Sequence, residues 1–379
     1  MPSNARTLIA LATWLFMLTL PAPAGGRYSM PSTPEADSTA EGTPVERAGR
    51  FLASLVGPGE PGGALIVIQH GEMLVEKAYG LADIEERVPL TTEHLFHIGS
   101  IGKQFTAIVV LMLCDERKLH LDDTIRRYLP QLPLWGDRIT IRQLLNHTSG
   151  LPDYSDDLQR QMTSRTLTPS NVDLVHALRT ALPPQSEPGD RFLYSNPGYD
   201  LLGAIIERVT GHSYADEVES RIFGPLGMVH TFSMPNAERH RDPMIPHSYV
   251  KEEGAFEAYD SDPLDNVVGS GSVYSSLEDM ARYDRALFGG RILRPAQLEQ
   301  MLASGILNSG KRTGYGFAFE VGSDQGRTFV AHDGEWLGFD SDYIHFPDQD
   351  LSIILLFNRV VDIPDQPRPA LTIARMFLK

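Results

Sequence analysis

One cysteine, Cys114, is all that 379 residues contain. An intramolecular disulfide is therefore excluded. Cys114 closes the apolar run Ile108-Val109-Val110-Leu111-Met112-Leu113, which marks it as a packed thiol rather than a nucleophile. A metal-binding pattern is missing as well: His94 and His97 stand three apart without acidic or thiol company at ligand spacing. Basic residues number 33 against 49 acidic ones, for a net charge of −16 spread along the chain. That excludes the basic stripe required for nucleic-acid binding. The apolar run Leu8–Leu20 falls short of the roughly 20 residues of a membrane span. No Gly-x-Ser-x-Gly elbow occurs, which removes the α/β-hydrolase route. The Gly-Lys pair in Gly99-Ser100-Ile101-Gly102-Lys103 lacks the spacing of a phosphate loop. No cofactor is implied.

Hydrophobic residues make up 42% of the chain, ample for one large domain or two interleaved lobes. Arg6, the short apolar run and Pro21-Ala22-Pro23-Ala24 have the order of a signal peptide: positive start, apolar middle, small-residue cleavage site. Residues 1–24 are accordingly expected to be removed, leaving a mature protein that is exported, periplasmic or secreted, and not membrane-bound. Residues 25–43, rich in Gly, Pro, Ser and Thr, suit a flexible leader. The folded domain is expected over 44–379.

Helical periodicity runs from Val45 to about Leu55. Gly63–Gln69, the turn His70-Gly71 and Met73–Gly80 form a predicted hairpin. Ser100 to about Arg117 is predicted as one long apolar helix. Further helices are expected over Thr140–Leu145, Asn171–Leu182, Gly198–Thr210 with Gly211 as its cap, and Ser276–Leu287. Strands return at Gly314–Val321, Thr328–His332, Asp340–Phe346 and Leu351–Asn358, before a closing helix over Leu371–Leu378. This order describes an α+β chain whose two ends share one antiparallel sheet around a helical middle, roughly 105–260.

Three short motifs carry chemistry. In Ser100-Ile101-Gly102-Lys103 the serine and lysine are one helical turn apart, so the amine reaches the hydroxyl. A dry site at a helix start lowers the lysine pKa and lets it act as a base toward the serine. The N-terminal amides of that helix favour an oxyanion. Tyr194-Ser195-Asn196 supplies a phenol that can shuttle a proton and an amide that can hold the lysine and a substrate carbonyl. In His332-Asp333-Gly334 the glycine lets a substrate lie along a strand edge. The next amide, that of Glu335, can complete an oxyanion hole with the amide of Ser100.

The three motifs in this order resemble the serine β-lactamase and penicillin-binding group, in its class C, DD-carboxypeptidase and esterase branch. The resemblance covers roughly residues 45–379. It includes Phe96–Thr106, Leu144-Leu145-Asn146-His147-Thr148-Ser149-Gly150-Leu151-Pro152, Phe223–Met228 and Asn358. It implies a five-stranded antiparallel sheet flanked by helices, a helical lobe beside it, and an active site in the groove between them. It also implies Ser100 as acylated nucleophile, Lys103 and Tyr194 as proton carriers, and Asn196 as orienting amide. His332, Gly334 and Glu335 would bind and orient the substrate. One departure is chemical. The family's third motif is Lys-Thr-Gly, whose lysine and threonine suit a substrate carboxylate; here His-Asp-Gly offers a mostly neutral ring at pH 7 and no hydroxyl. Some peptidase and esterase members similarly carry histidine there.

The resulting expectation is a serine hydrolase forming an acyl-serine intermediate on esters, small amides or D-amino-acid-containing peptides. The alternatives are a β-lactamase or DD-carboxypeptidase, and a non-catalytic penicillin-binding-like sensor or scaffold. His332 is further expected to read substrate charge, with a crossover near its ordinary pKa of about 6.5. The export reading is checked directly: N-terminal sequencing of the secreted or periplasmic protein should begin at Gly25, and an intact leader on cytoplasmic protein would refute it.

Overall fold

The computed structural model describes residues 41–180, 183–233, 242–361 and 367–378; the segment 1–24 expected to be a signal peptide and nearly all of the expected leader lie outside them. The first helix, α1 (Pro44–Ser54), starts at a capping box. Thr43 accepts from the Glu46 amide while the Glu46 carboxylate accepts from the Thr43 amide, satisfying two of the donors that a helix start leaves open. The hairpin β1 (Gly63–Gln69) and β2 (Glu72–Tyr79) follows. The helix that begins at Lys103, α2 (Lys103–Asp115), is preceded by a tighter 3-10 turn, Gly99–Gly102, so the long helix expected from Ser100 begins three residues later. The helical middle includes Ile141–Leu145, Asp156–Thr163, Asn171–Ala177 and the long α3 (Asn196–Thr210), which Gly211 ends in the left-handed conformation. Helix α4 (Leu277–Phe288) leads back toward the sheet.

Four strands then complete the sheet: β3 (Glu320–Asp324), β4 (Arg327–Trp336), β5 (Phe339–Phe346) and β6 (Leu351–Phe357), before the closing helix α5 (Pro369–Phe377). The order is β3-β4-β5-β6-β1-β2, antiparallel throughout. The two chain ends do meet in one sheet, through β1 and β6 with Gly63 opposite Phe357. The sheet has six strands rather than five, and its edge strand begins at Glu320, not Gly314. Residues 315–319 instead turn back on β3 through a single bridge from Tyr315 to Glu320, with Tyr315, Phe317 and Phe319 all buried.

Both faces of the sheet are covered, which explains the apolar runs Ala64–Ile68 of β1 and Ile353–Phe357 of β6. Leu65, Val67, Ile353 and Leu355 pack against Ala48 and Leu52 of α1 and Ile373 and Ala374 of α5. Ala64, Ile66, Ile354 and Leu356 belong to the larger core shared with α2, α3 and α4. Asn358, fully buried just after β6, ties three segments together. It accepts from the Gly62 amide at 2.7 Å and donates to the carbonyls of Leu81 at 3.1 Å and His247 at 2.9 Å. Asn358→Ala would leave those groups unpaired in the interior, each costing about 1–3 kcal/mol. Urea unfolding should show a loss of about 3 kcal/mol or more, with a midpoint shift and an unchanged slope.

Candidate active site

Ser100 lies in the 3-10 turn between the short strand Phe96–His97 and α2. Lys103 is fully buried, and its ammonium has three acceptors: Ser100 Oγ at 2.9 Å, Asn196 Oδ1 at 2.7 Å and the Ser270 carbonyl at 2.7 Å. These match the three donors of an ammonium. Burial, the largest influence, brings the Lys103 pKa down to about 8 against the opposing pull of Asp200, Asp153 and Asp333. Loss of one proton leaves a defined geometry. Asn196 Oδ1 and the Ser270 carbonyl can only accept, so the two remaining N–H groups stay on them and the lone pair turns to Ser100.

Tyr194 is hydrogen-bonded with Ser100, and burial holds its phenol protonated, well above the usual tyrosine range. Its ring lies 5.0 Å from the Lys103 ammonium, with Tyr199 at 5.7 Å. Asn196 opens α3, where Ser195 caps the helix and Pro197 fits its first turn. The Asn196 backbone and side-chain nitrogens both donate to the Asp153 carboxylate, at 3.0 and 3.2 Å. That leaves Oδ1 for the lysine. The Ser100–Lys103, Tyr194 and Asn196 elements thus converge on one point.

The third motif lies inside β4 rather than beyond a strand end. Alternation along β4 puts His332 and Gly334 on one face and Asp333 and Glu335 on the other. Strand β3 reaches only Ala331 of β4, so residues 332–336 present a free edge to the Ser100 turn. The two backbones touch closely: a Cβ on Gly99 would lie 2.6 Å from the Glu335 nitrogen, and one on Gly334 would lie 2.7 Å from the Ser100 nitrogen. Only glycines permit that approach. Ladder alternation from the two-residue turn between Trp336 and Phe339 points the Glu335 amide away from β5. Ser100 and Glu335 both line a cleft of about 440 Å³ that opens to solvent. Leu264, Val267 and Trp336 give the cleft apolar surface, and His97, Tyr154, Asn196 and Asp200 give it polar surface.

His332 departs from expectation. It is 2% exposed, and both ring nitrogens are engaged. Nδ1 donates to the Asp333 carbonyl, so Nε2 is the acceptor and takes the Tyr315 hydroxyl at 2.8 Å. Burial, with Lys103 and Arg368 adding to it, brings the ring pKa down to about 4 although Asp333 opposes. A ring held in this way does not present a switchable charge to substrate between pH 5 and 8. The crossover expected near 6.5 is thereby corrected.

Several contributors carried no role in the sequence reading. His147 is buried at a positive φ of 55°, and its Nδ1 accepts from the Ser195 amide at 3.2 Å. Its ring packs 4.2 Å from that of Tyr194. Tyr315 fixes His332, Asp153 fixes Asn196, and Ser270 completes the lysine's shell. Asp200 was visible in principle, being one turn after Asn196 on the same face of α3.

The chain matches the β-lactamase family over residues 49–375. It belongs to that family. With it, the protein falls among the serine hydrolases of the β-lactamase and penicillin-binding fold. Penicillin-binding protein 4* of Bacillus subtilis (strain 168) is 33% identical over 313 residues, covering 79% of this chain and 68% of the relative. A D-aminopeptidase of Gluconobacter oxydans (strain 621H) is 28% identical over 311 residues, 79% of this chain; the match spans 56% of that relative's length. Among solved structures, the D-amino acid amidase of Ochrobactrum anthropi SV3 complexed with L-phenylalanine amide superposes with a TM-score of 0.70 at 27% identity. The match covers 88% of this chain and 96% of the other.

The His332 geometry has a direct check. An NMR titration should find the ring neutral from pH 8 down through 5, with a midpoint of about 4. The ratio of kcat/KM for a carboxylate-bearing substrate to that for a neutral ester should stay flat over the same range. A crossover near 6.5 would mean that the ring is open to solvent and substrate.

Proposed function

We propose that this β-lactamase-family protein hydrolyses amides and short peptides of D-amino acids through an acyl-enzyme on Ser100, favouring acyl donors without a carboxylate beside the scissile bond. The observation that carries the reading is the Lys103 shell: two fixed acceptors that direct the lone pair of the neutral amine at Ser100 Oγ. The D-aminopeptidase and D-amino acid amidase likenesses support the substrate class. The neutral His332, where a lysine would serve a carboxylate, supports the preference for uncharged donors.

The reaction follows from the placement of the groups. Neutral Lys103 takes the Ser100 proton as Oγ bonds to the substrate carbonyl carbon. Negative charge grows on the carbonyl oxygen, beside the amides of Ser100 and Glu335, which are fixed before the substrate arrives. Tyr194 passes a proton to the departing amine and is reprotonated from Lys103. The acyl-serine is then cleaved by water over the same proton path in reverse. A pH profile of kcat/KM should accordingly rise through about pH 8 as Lys103 loses its proton.

The likeness to penicillin-binding protein 4* favours a second reading, acylation by β-lactams or DD-peptides, and one experiment separates the two. Intact-mass analysis after exposure to D-amino-acid amides, esters and β-lactams should show the acyl adduct from the first group. An adduct only from β-lactams would overturn the proposal in favour of the second. Ser100→Ala should abolish every adduct and fluorophosphonate labelling while leaving the fold intact. Lys103→Ala and Tyr194→Phe should each lower kcat/KM by about 10²–10⁴, and the double variant should lose less than the product because both serve one proton path. Wild-type turnover in Ser100→Ala would refute the nucleophile assignment.

A further inference from the structure

The catalytic scheme uses Lys103, Tyr194 and Asn196 but leaves one buried carboxylate beside them unexplained. Asp200 is 1% exposed. It accepts from the Tyr154 hydroxyl and from the Ser270 amide, each at 2.8 Å. Ser270 joins it to the lysine, since the carbonyl of the same residue accepts from Lys103 at 2.7 Å. Helix α3 thus reaches the lysine twice from one face, directly through Asn196 and, one turn later, through Asp200 and Ser270. Burying an unpaired carboxylate is costly unless an opposite charge is near. Burial raises the Asp200 pKa, the hydrogen bonds from Ser270 and Tyr154 and the charge of Lys103 oppose it, and the carboxyl ends at about 6.

The other groups facing Lys103 are of different kinds. Asp153 and Asp333 also favour its charged form, but both are exposed, where water screens them. His147 and His332 are held neutral by burial and by the lysine itself. Tyr194 and Tyr199 offer their rings and stay protonated. Asp200 is the buried anion of this set.

We propose that Asp200 is the counter-ion of Lys103, a positioning residue that sets the pH above which Lys103 takes the Ser100 proton. It rests on the reading of Lys103 as base. The proton that leaves Ser100 Oγ as the new C–O bond forms turns Lys103 into an ammonium, and the Asp200 charge stabilises that ammonium. The same charge raises the proton affinity of the resting lysine. Two effects of Asp200→Asn follow with opposite appearance. Lys103 is neutral down to lower pH, so the acid limb of the acylation rate moves toward acid. The amine is also a weaker base, so the plateau falls. Asparagine retains an acceptor for the Ser270 amide, and its NH₂ can donate to the Tyr154 oxygen.

The test is the second-order rate of inactivation by a fluorophosphonate across pH 5–10, a readout that does not depend on the natural acyl donor. Wild type should show an acid limb near 8. In Asp200→Asn, shown to be folded by circular dichroism and melting, the limb should drop by about one pH unit or more and the plateau by roughly tenfold. Asp333→Asn should move the limb by less than about 0.3 unit, because solvent screens that charge. A folded Asp200→Asn with its limb within about 0.2 unit of wild type, or above it, would overturn the proposal; lost packing alone lowers the plateau without moving the limb. Should the variant not fold, a ¹³C titration of the wild-type Asp200 carboxyl decides. Coupled groups titrate as a pair, so inflections are expected near 6 and again near 8, and a single inflection would refute the pairing. Rapid inactivation of Lys103→Ala with an unchanged limb would instead remove the base assignment on which the proposal stands.

Discussion

A lysine ammonium with no water around it is the demand that organises this molecule. Such a group is tolerated in the interior only when each of its donors has a partner. The partners come from three separate places: the 3-10 turn before α2, the first residue of α3 and the turn at Ser270. Sheet side and helical lobe must therefore be docked before the lysine is satisfied. The site is the seam between them, and its assembly reports on the whole fold. The second layer extends this logic. His147 holds the Ser195 amide, Asp153 holds Asn196 and Asp200 holds Ser270, so each of the nearest groups is itself fixed.

Most of the architecture was legible because burial on two faces leaves a clear mark. The apolar runs within β1 and β6 fit only a covered sheet, and Gly211 marks a helix end. The Ser100–Lys103 pair was legible because the contact spans one turn. Tyr194-Ser195-Asn196 could be read because Pro197 and an apolar helix follow it. Two misreadings share a cause. The aromatic run Tyr315–Phe319 has the composition of a strand but satisfies its hydrophobicity by packing in the core, with Ala318 at a positive φ of 59°. Asp333-Gly334 has the composition of a turn but is carried through as strand by its pairing with Asp342 and Ser341 of β5. In both, tertiary contacts override local propensity.

The reach of that second misreading extends to the chemistry. Had β4 been continued to Trp336, the period-two alternation alone would have turned His332 inward, toward Tyr194, and Asp333 outward. The histidine is then a neutral spacer locked by Tyr315, and Glu335, not His332, lines the cleft. What no pattern in the sequence conveys is that Tyr315, seventeen residues earlier, supplies the lock, because nothing local links the two.

The unpaired stretch of β4 also bears on how the protein avoids its own kind. An open strand edge beside an apolar cleft invites another sheet to zip onto it, the first step of aggregation. Here the edge is five residues long, from His332 to Trp336, and the Ser100 turn packs across it. Asp333 and Glu335, both exposed, alternate along it with the same sign of charge. A second copy approaching edge to edge would bring like charges face to face, whereas a single short acyl donor would not. Shortness, the packed Ser100 turn and like charge are the features that disfavour pairing along such an edge.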